Sequence, residues 1–116
     1  MDAMATEAHF EAIVDTFVGT PAVTLGGGRR GFGSDALQAG GRIFAMTSGG
    51  LLVLKLPAAR VAALVASGEG EPFDAGRGRP MKEWVVVVRG GRKRCLALAR
   101  EACAFVLHLT EPRARS

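Results

Sequence analysis

Apolar and polar residues alternate along this chain with two periods, and the changes of period mark its elements. Phe10, Ile13, Val14 and Phe17 recur at i, i+3, i+4 and i+7, which predicts a first helix over about residues 6–18. Its other face is acidic; Glu7 and Glu11 fall near its N-terminus, where the helix dipole favours carboxylates, and Gly19 with Pro21 ends it. Extended pieces separated by glycines follow at residues 22–25, about 34–39, 42–47 and 51–56. Gly40-Gly41 is a two-residue hairpin signal and Ser48-Gly49-Gly50 reads as a slightly longer one, so these pieces predict an antiparallel meander. Ile43, Ala45 and Thr47 alternate with Arg42, Phe44 and Met46, whereas residues 51–54 are apolar on both faces and need cover on both.

Pro57 suits a first helical turn, and Val61, Leu64 and Val65 give a short second helix one apolar stripe that stops at Gly68. A loop with Gly68, Gly70, Pro72, Gly76 and Gly78 leads into Trp84 and four valines, the strongest strand signal in the chain, closed by Gly90-Gly91. A last, largely buried helix is expected over about residues 93–109, with Arg94, Glu101 and His108 on its polar stripe, before a frayed basic tail at residues 111–116. The architecture expected is α+β: a small antiparallel sheet made of a meander plus a later strand, with N-terminal, middle and C-terminal helices. The order is α-β-β-β-α-β-α, in one domain spanning residues 1–116.

Composition narrows the class further. A chain of 116 residues that is 48% hydrophobic and 22% charged can bury a core without disulfides or a structural metal, and is too apolar to be disordered over most of its length. Cys95 and Cys103, eight positions apart on one expected helix, are separated by roughly 12 Å at ~1.5 Å per residue and cannot bridge each other. With no disulfide framework, no basic leader and no apolar run near ~18 residues, the expectation is a cytoplasmic protein without a membrane partner. The net charge of +4 is unevenly spread: residues 1–28 carry only Asp2, Glu7, Glu11 and Asp15, while residues 77–116 hold most of the positive charge. Such polarity suits phosphates, an acidic partner, or the acidic helix of one protomer meeting the basic end of another.

Candidate chemistry is sparse. Gly26, Gly28 and Gly31 fit G-x-G-x-x-G, a pattern that brings a pyrophosphate to a helix N-terminus, but no helical pattern follows and no acid stands where a ribose would be held. A flexible glycine-rich loop is the simpler account of them. Arg77-Gly78-Arg79-Pro80 repeats the core of an AT-hook, which lies in the narrow minor groove, yet its place between a helix and a strand also fits a turn. Arg77, Arg79, Lys82, Arg89, Arg92, Lys93 and Arg94 form a candidate patch for nucleic acid or an acidic partner, or else a solvated rim; Lys93 and Arg94 stand at the end of a helix where cations do not stabilise it. His9 and His108 have no metal-ligand spacing, no serine has a nucleophile-elbow context, and neither thiol has an evident activating base. No catalytic residue, metal or cofactor is therefore assigned.

Several motifs, taken in order, resemble a known family. They run from Val23-Thr24-Leu25 through the glycine loop to Gly41-Arg42-Ile43-Phe44-Ala45-Met46 and Leu52-Val53-Leu54-Lys55-Leu56-Pro57. They continue with Pro72-Phe73-Asp74 and Gly78-Arg79-Pro80-Met81-Lys82-Glu83-Trp84. In order and spacing the series is similar to the N-terminal domain of TfoX/Sxy-type proteins, the group named after regulators of natural competence. The resemblance implies an α+β domain of helix, antiparallel strands, helix, strand and closing helix, without the separate helical C-terminal domain of the competence regulators. It implies no catalytic residues. The function expected is a non-enzymatic protein-binding or regulatory module, self-associating as a homodimer because strands apolar on both faces would need a second copy as cover. A nucleic-acid-binding accessory protein using the basic patch, and a small-ligand binder using the glycine loop, are the alternatives.

Overall fold

The computed structural model describes residues 3–26, 36–74 and 82–110. In chain order the elements are α1 (Ala3–Phe17), β1 (Val23–Gly26), β2 (Ala36–Ala39), β3 (Arg42–Ser48), β4 (Leu51–Lys55), α2 (Ala58–Ser67), β5 (Gly70–Pro72), β6 (Trp84–Val87) and α3 (Arg92–Thr110). The fold is α+β, with one antiparallel sheet in the order β1-β2-β3-β4-β6-β5. Among the described residues it holds six strands and runs α-β-β-β-β-α-β-β-α, two strands more than the order read from the sequence. The piece at residues 22–25 is a full member of the meander, and β5 lies where only a loop was expected.

The meander forms because its two glycine pairs sit where the chain must reverse. Ala39 pairs with Arg42 and Ser48 with Leu51, so each turn has two central residues, and all four glycines have positive φ, from 57° to 86°. That is the backbone of a tight type I′ hairpin, which side chains with a Cβ resist. The second turn is thus as short as the first. Between Leu37 and Gln38 the β2–β3 register slips by one residue, and Phe44 is the extra residue of the bulge. The strict alternation expected along β3 fails there: Phe44 and Ala45 are both fully buried in the same core.

All three helices lie on one face of the sheet. Phe10, Ile13 and Phe17 of α1, Val61 and Leu64 of α2, and Cys95, Leu98, Ala102 and Val106 of α3 pack with Leu37, Phe44, Leu52, Leu54, Val85 and Val87. Phe17 meets Phe44 edge to face, ring centroids 5.2 Å apart, which anchors α1 over the bulge. Helix α1 begins at Ala3, so Glu7 and Glu11 lie beyond its first turn, where the dipole no longer favours them appreciably. Two ion pairs tie the helical layer together. Arg60 Nε and Nη2 donate to the Glu101 carboxylate at 2.8 and 3.1 Å, joining α2 to α3, and Arg94 donates to Glu69 at 2.8 and 2.9 Å, joining α3 to the turn before β5.

On the opposite face, helix-free among the described residues, Val53, Val86 and Phe73 form a second buried cluster, with Met46, Trp84 and Val88 packed around it. The doubly apolar strands β4 and β6 are therefore buried on both faces within one chain. The strand pattern alone gives no physical reason for a second copy.

Candidate functional site

Among the described residues, the basic side chains singled out in the sequence fall at the two ends of β6. Lys82 precedes β6 and Arg89 follows it, and the four extended residues between hold them apart by roughly 13 Å at ~3.3 Å each. Arg89, Arg92 and Lys93 share the turn into α3 and are exposed, with no ion pair among the described residues. Arg94 belongs to the architecture instead. Its guanidinium hydrogen bond, together with its charge, holds the Glu69 carboxyl below the usual carboxylate range against a partial desolvation that opposes it. Arg77 and Arg79, with the AT-hook-like turn, lie outside the described residues, as do Gly28 and Gly31 and the tail at 111–116. Gly26 ends β1, an edge strand, paired with Ala36.

The thiols offer no nucleophile. Cys95 and Cys103 are buried in the core between α3 and the sheet, and burial pushes both thiols above their ordinary range. Among the described residues no group of three or more His, Cys, Asp or Glu side chains is placed to hold a metal ion.

What the structure does assemble is a cluster that the sequence reading missed. Lys55, the last residue of β4, pairs across the sheet with Trp84, the first of β6, and its ammonium lies 5.0 Å from the centroid of the indole ring. The same Nζ donates to Glu83 Oε1 at 3.1 Å, and the Glu83 carbonyl accepts the Leu56 N–H at 2.9 Å. Lys55 is thereby clamped between a carboxylate and an aromatic face, a placement in which a cation–π contact contributes about 0.5–2 kcal/mol. Trp84 stays half-buried. With Lys55, Ala58, Lys82 and Glu83 it lines a shallow, open recess at one end of the helix-free face. The signal was weak because Lys55 and Glu83 are 28 positions apart and meet only through β4–β6 pairing, which local periodicity does not encode.

The recess is broad and open where small-molecule sites are enclosed. An aromatic anchor whose cation and carboxylate neighbours fix its orientation is the composition found at the centres of protein interfaces, where tryptophan is enriched. No protein-family model, curated protein or solved structure matches this chain.

Proposed function

We propose that this chain is a non-enzymatic protein-binding or regulatory module of the TfoX/Sxy N-terminal type, and that its contact surface is the helix-free face around Trp84. The observation that carries the reading is the half-buried Trp84 held under Lys55 at the rim of an open recess, rather than sunk in the main core. The family reading is supported by the order and spacing of the quoted motifs and agrees with the α+β architecture. No helix among the described residues is long and apolar enough to cross a membrane.

The test pairs capture with measurement. A partner retained by the wild-type protein from its own cells is purified, and its affinity is measured against Trp84→Ala, with Arg92→Ala/Lys93→Ala as the comparison. The expected result is at least a tenfold loss for Trp84→Ala, the scale of an interface anchor worth about 1.4 kcal/mol or more, and little change for the double variant. Equal binding by Trp84→Ala, with its fold intact by circular dichroism, removes the proposal.

A second reading has its own observation: the three exposed, unpaired cations Arg89, Arg92 and Lys93 at one end of α3 fit a polyanion. Binding of duplex DNA through them would weaken with salt at a log–log slope of about −0.9 per phosphate contacted, so about −3 for three contacts. A slope near zero, or one unchanged in Arg92→Ala/Lys93→Ala, rules this reading out.

A further inference from the structure

The two edges of the sheet are built differently. Strand β5 is three residues long and ends in Glu71 and Pro72, a charge and a residue without an N–H, both of which discourage further pairing. Strand β1, Val23-Thr24-Leu25-Gly26, carries neither device, and no described strand pairs with its outer side. The Gly40 N–H donates to the Ala22 carbonyl at 2.9 Å, and the register from Val23↔Ala39 to Gly26↔Ala36 continues that ladder without a slip. Hydrogen-bonded and non-hydrogen-bonded pairs alternate in an antiparallel ladder, so Thr24 turns its N–H and C=O toward β2 while Leu25 turns both outward. The Val23 N–H is folded back to Thr20 at 3.1 Å, leaving Leu25 as the residue that offers a donor and an acceptor to the open edge.

The side chains beside this edge are also arranged for an incoming strand. Leu25 is 57% exposed, and with Phe10, Val14, Glu11 and Asp15 it lines a recess of about 270 Å³ between β1 and α1. Its floor is apolar and its rim carries two exposed carboxylates, four residues apart on α1. A residue paired with Leu25 would point its side chain to the same face of the sheet, into this recess, and cationic residues two positions to either side would meet Glu11 and Asp15.

We propose that β1 is a docking edge for an extended, basic peptide segment of a partner protein, which adds a strand antiparallel or parallel to β1, places an apolar side chain beside Leu25 and Val14, and sets lysine or arginine against Glu11 and Asp15. Charge complementarity selects this occupant over a two-fold pairing of β1 with the β1 of a second copy. A two-fold joining β1 to β1 would put both α1 helices on the same side of the joined sheet and bring the four carboxylates of like charge together. This surface is separate from the Trp84 recess, and either can fail without the other.

The probe is a fluorescein-labelled octapeptide, Lys-Thr-Val-Thr-Lys-Thr-Val-Thr, whose lysines and valines share one face of an extended strand, titrated with the full chain and followed by anisotropy. Two analogues accompany it, one with glutamate for lysine and one with N-methylated backbone amides on alternate residues. Saturable binding of the lysine peptide is expected, with at least a tenfold loss for each analogue and for Glu11→Lys/Asp15→Lys, and no change for Trp84→Ala. Both α1 substitutions are at exposed positions, and a native far-UV spectrum and unchanged urea midpoint keep the comparison valid; if they unfold the chain, Asp15→Asn is used, with a smaller loss in the same direction. Absence of binding overturns the proposal. So does binding that the N-methylated analogue or the charge-reversed protein retains in full, because attachment would then depend on neither the strand edge nor the acidic rim.

Discussion

Substituting Gly70 by alanine tests how β5 is held. A Cβ built at Gly70 would lie 2.5 Å from Val85 Cγ2, 3.3 Å from the Val86 carbonyl oxygen and 3.4 Å from Leu64 Cβ. Val85 is fully buried and the carbonyl belongs to the β5–β6 ladder itself, so neither can withdraw cheaply. Overpacking of this kind costs about 1–3 kcal/mol. With a urea dependence near ~1.5 kcal/mol per M for a domain of this size, the midpoint of Gly70→Ala should fall by about 0.7–2 M. Val85→Ala alone removes two buried methyl groups and should cost about 1.5–3 kcal/mol. It also removes the atom that the new methyl strikes. The double variant is therefore expected to be more stable than the sum of the single losses allows, by at least ~1 kcal/mol, against an additivity error of about 0.3–0.5 kcal/mol. Losses that simply add would mean that Gly70 does not pack against Val85, and that β5 is not seated on β6 as described.

Three further outcomes follow from the charges and thiols. Because Arg94 lowers the Glu69 carboxyl, the contribution of this pair is present above the ordinary carboxylate range and is lost as pH falls through the lowered native value. The stability difference between wild type and Glu69→Gln, measured by urea unfolding, should shrink as the pH falls below the ordinary carboxylate range; a constant difference refutes the pairing. The Cys95 and Cys103 thiols, raised by burial, should react with an aromatic disulfide reagent only as fast as the core opens, whereas an immediate stoichiometric burst would place one of them at the surface. Since the unfolded thiols ionise first, stability should also decline as pH rises above the ordinary thiol range, and less so in Cys95→Ala.

Helices α1, α2 and α3 and strands β3, β4 and β6 were legible in the sequence because each carries its own period and its own stop: Gly19, Gly68 and the glycine pairs. Strand β5 was not, since Gly70, Glu71 and Pro72 have poor strand propensity and are extended only because β6 offers them a partner. The bulge at Phe44 was invisible for a related reason: it answers to the offset between β2 and β3, not to any residue's own preference. Long-range pairing also decided the functional residues. The strand expected at Trp84 already stood between Lys82 and Arg89, but nothing local showed that Arg94 is spent on Glu69. Conversely, Lys55 and Trp84 carried no shared motif and were brought together by the β4–β6 register.

The chain has three lysines, Lys55 and Lys82 beside Trp84 and Lys93 at the basic turn into α3, so an amine-reactive cross-linker distinguishes the two candidate surfaces directly. Cross-linking in the protein's own cells, followed by peptide mass spectrometry, should give links to the partner that run mainly from Lys82 and disappear in Trp84→Ala. Links that run from Lys93 alone, and persist in Trp84→Ala, would contradict the assignment of function to the helix-free face.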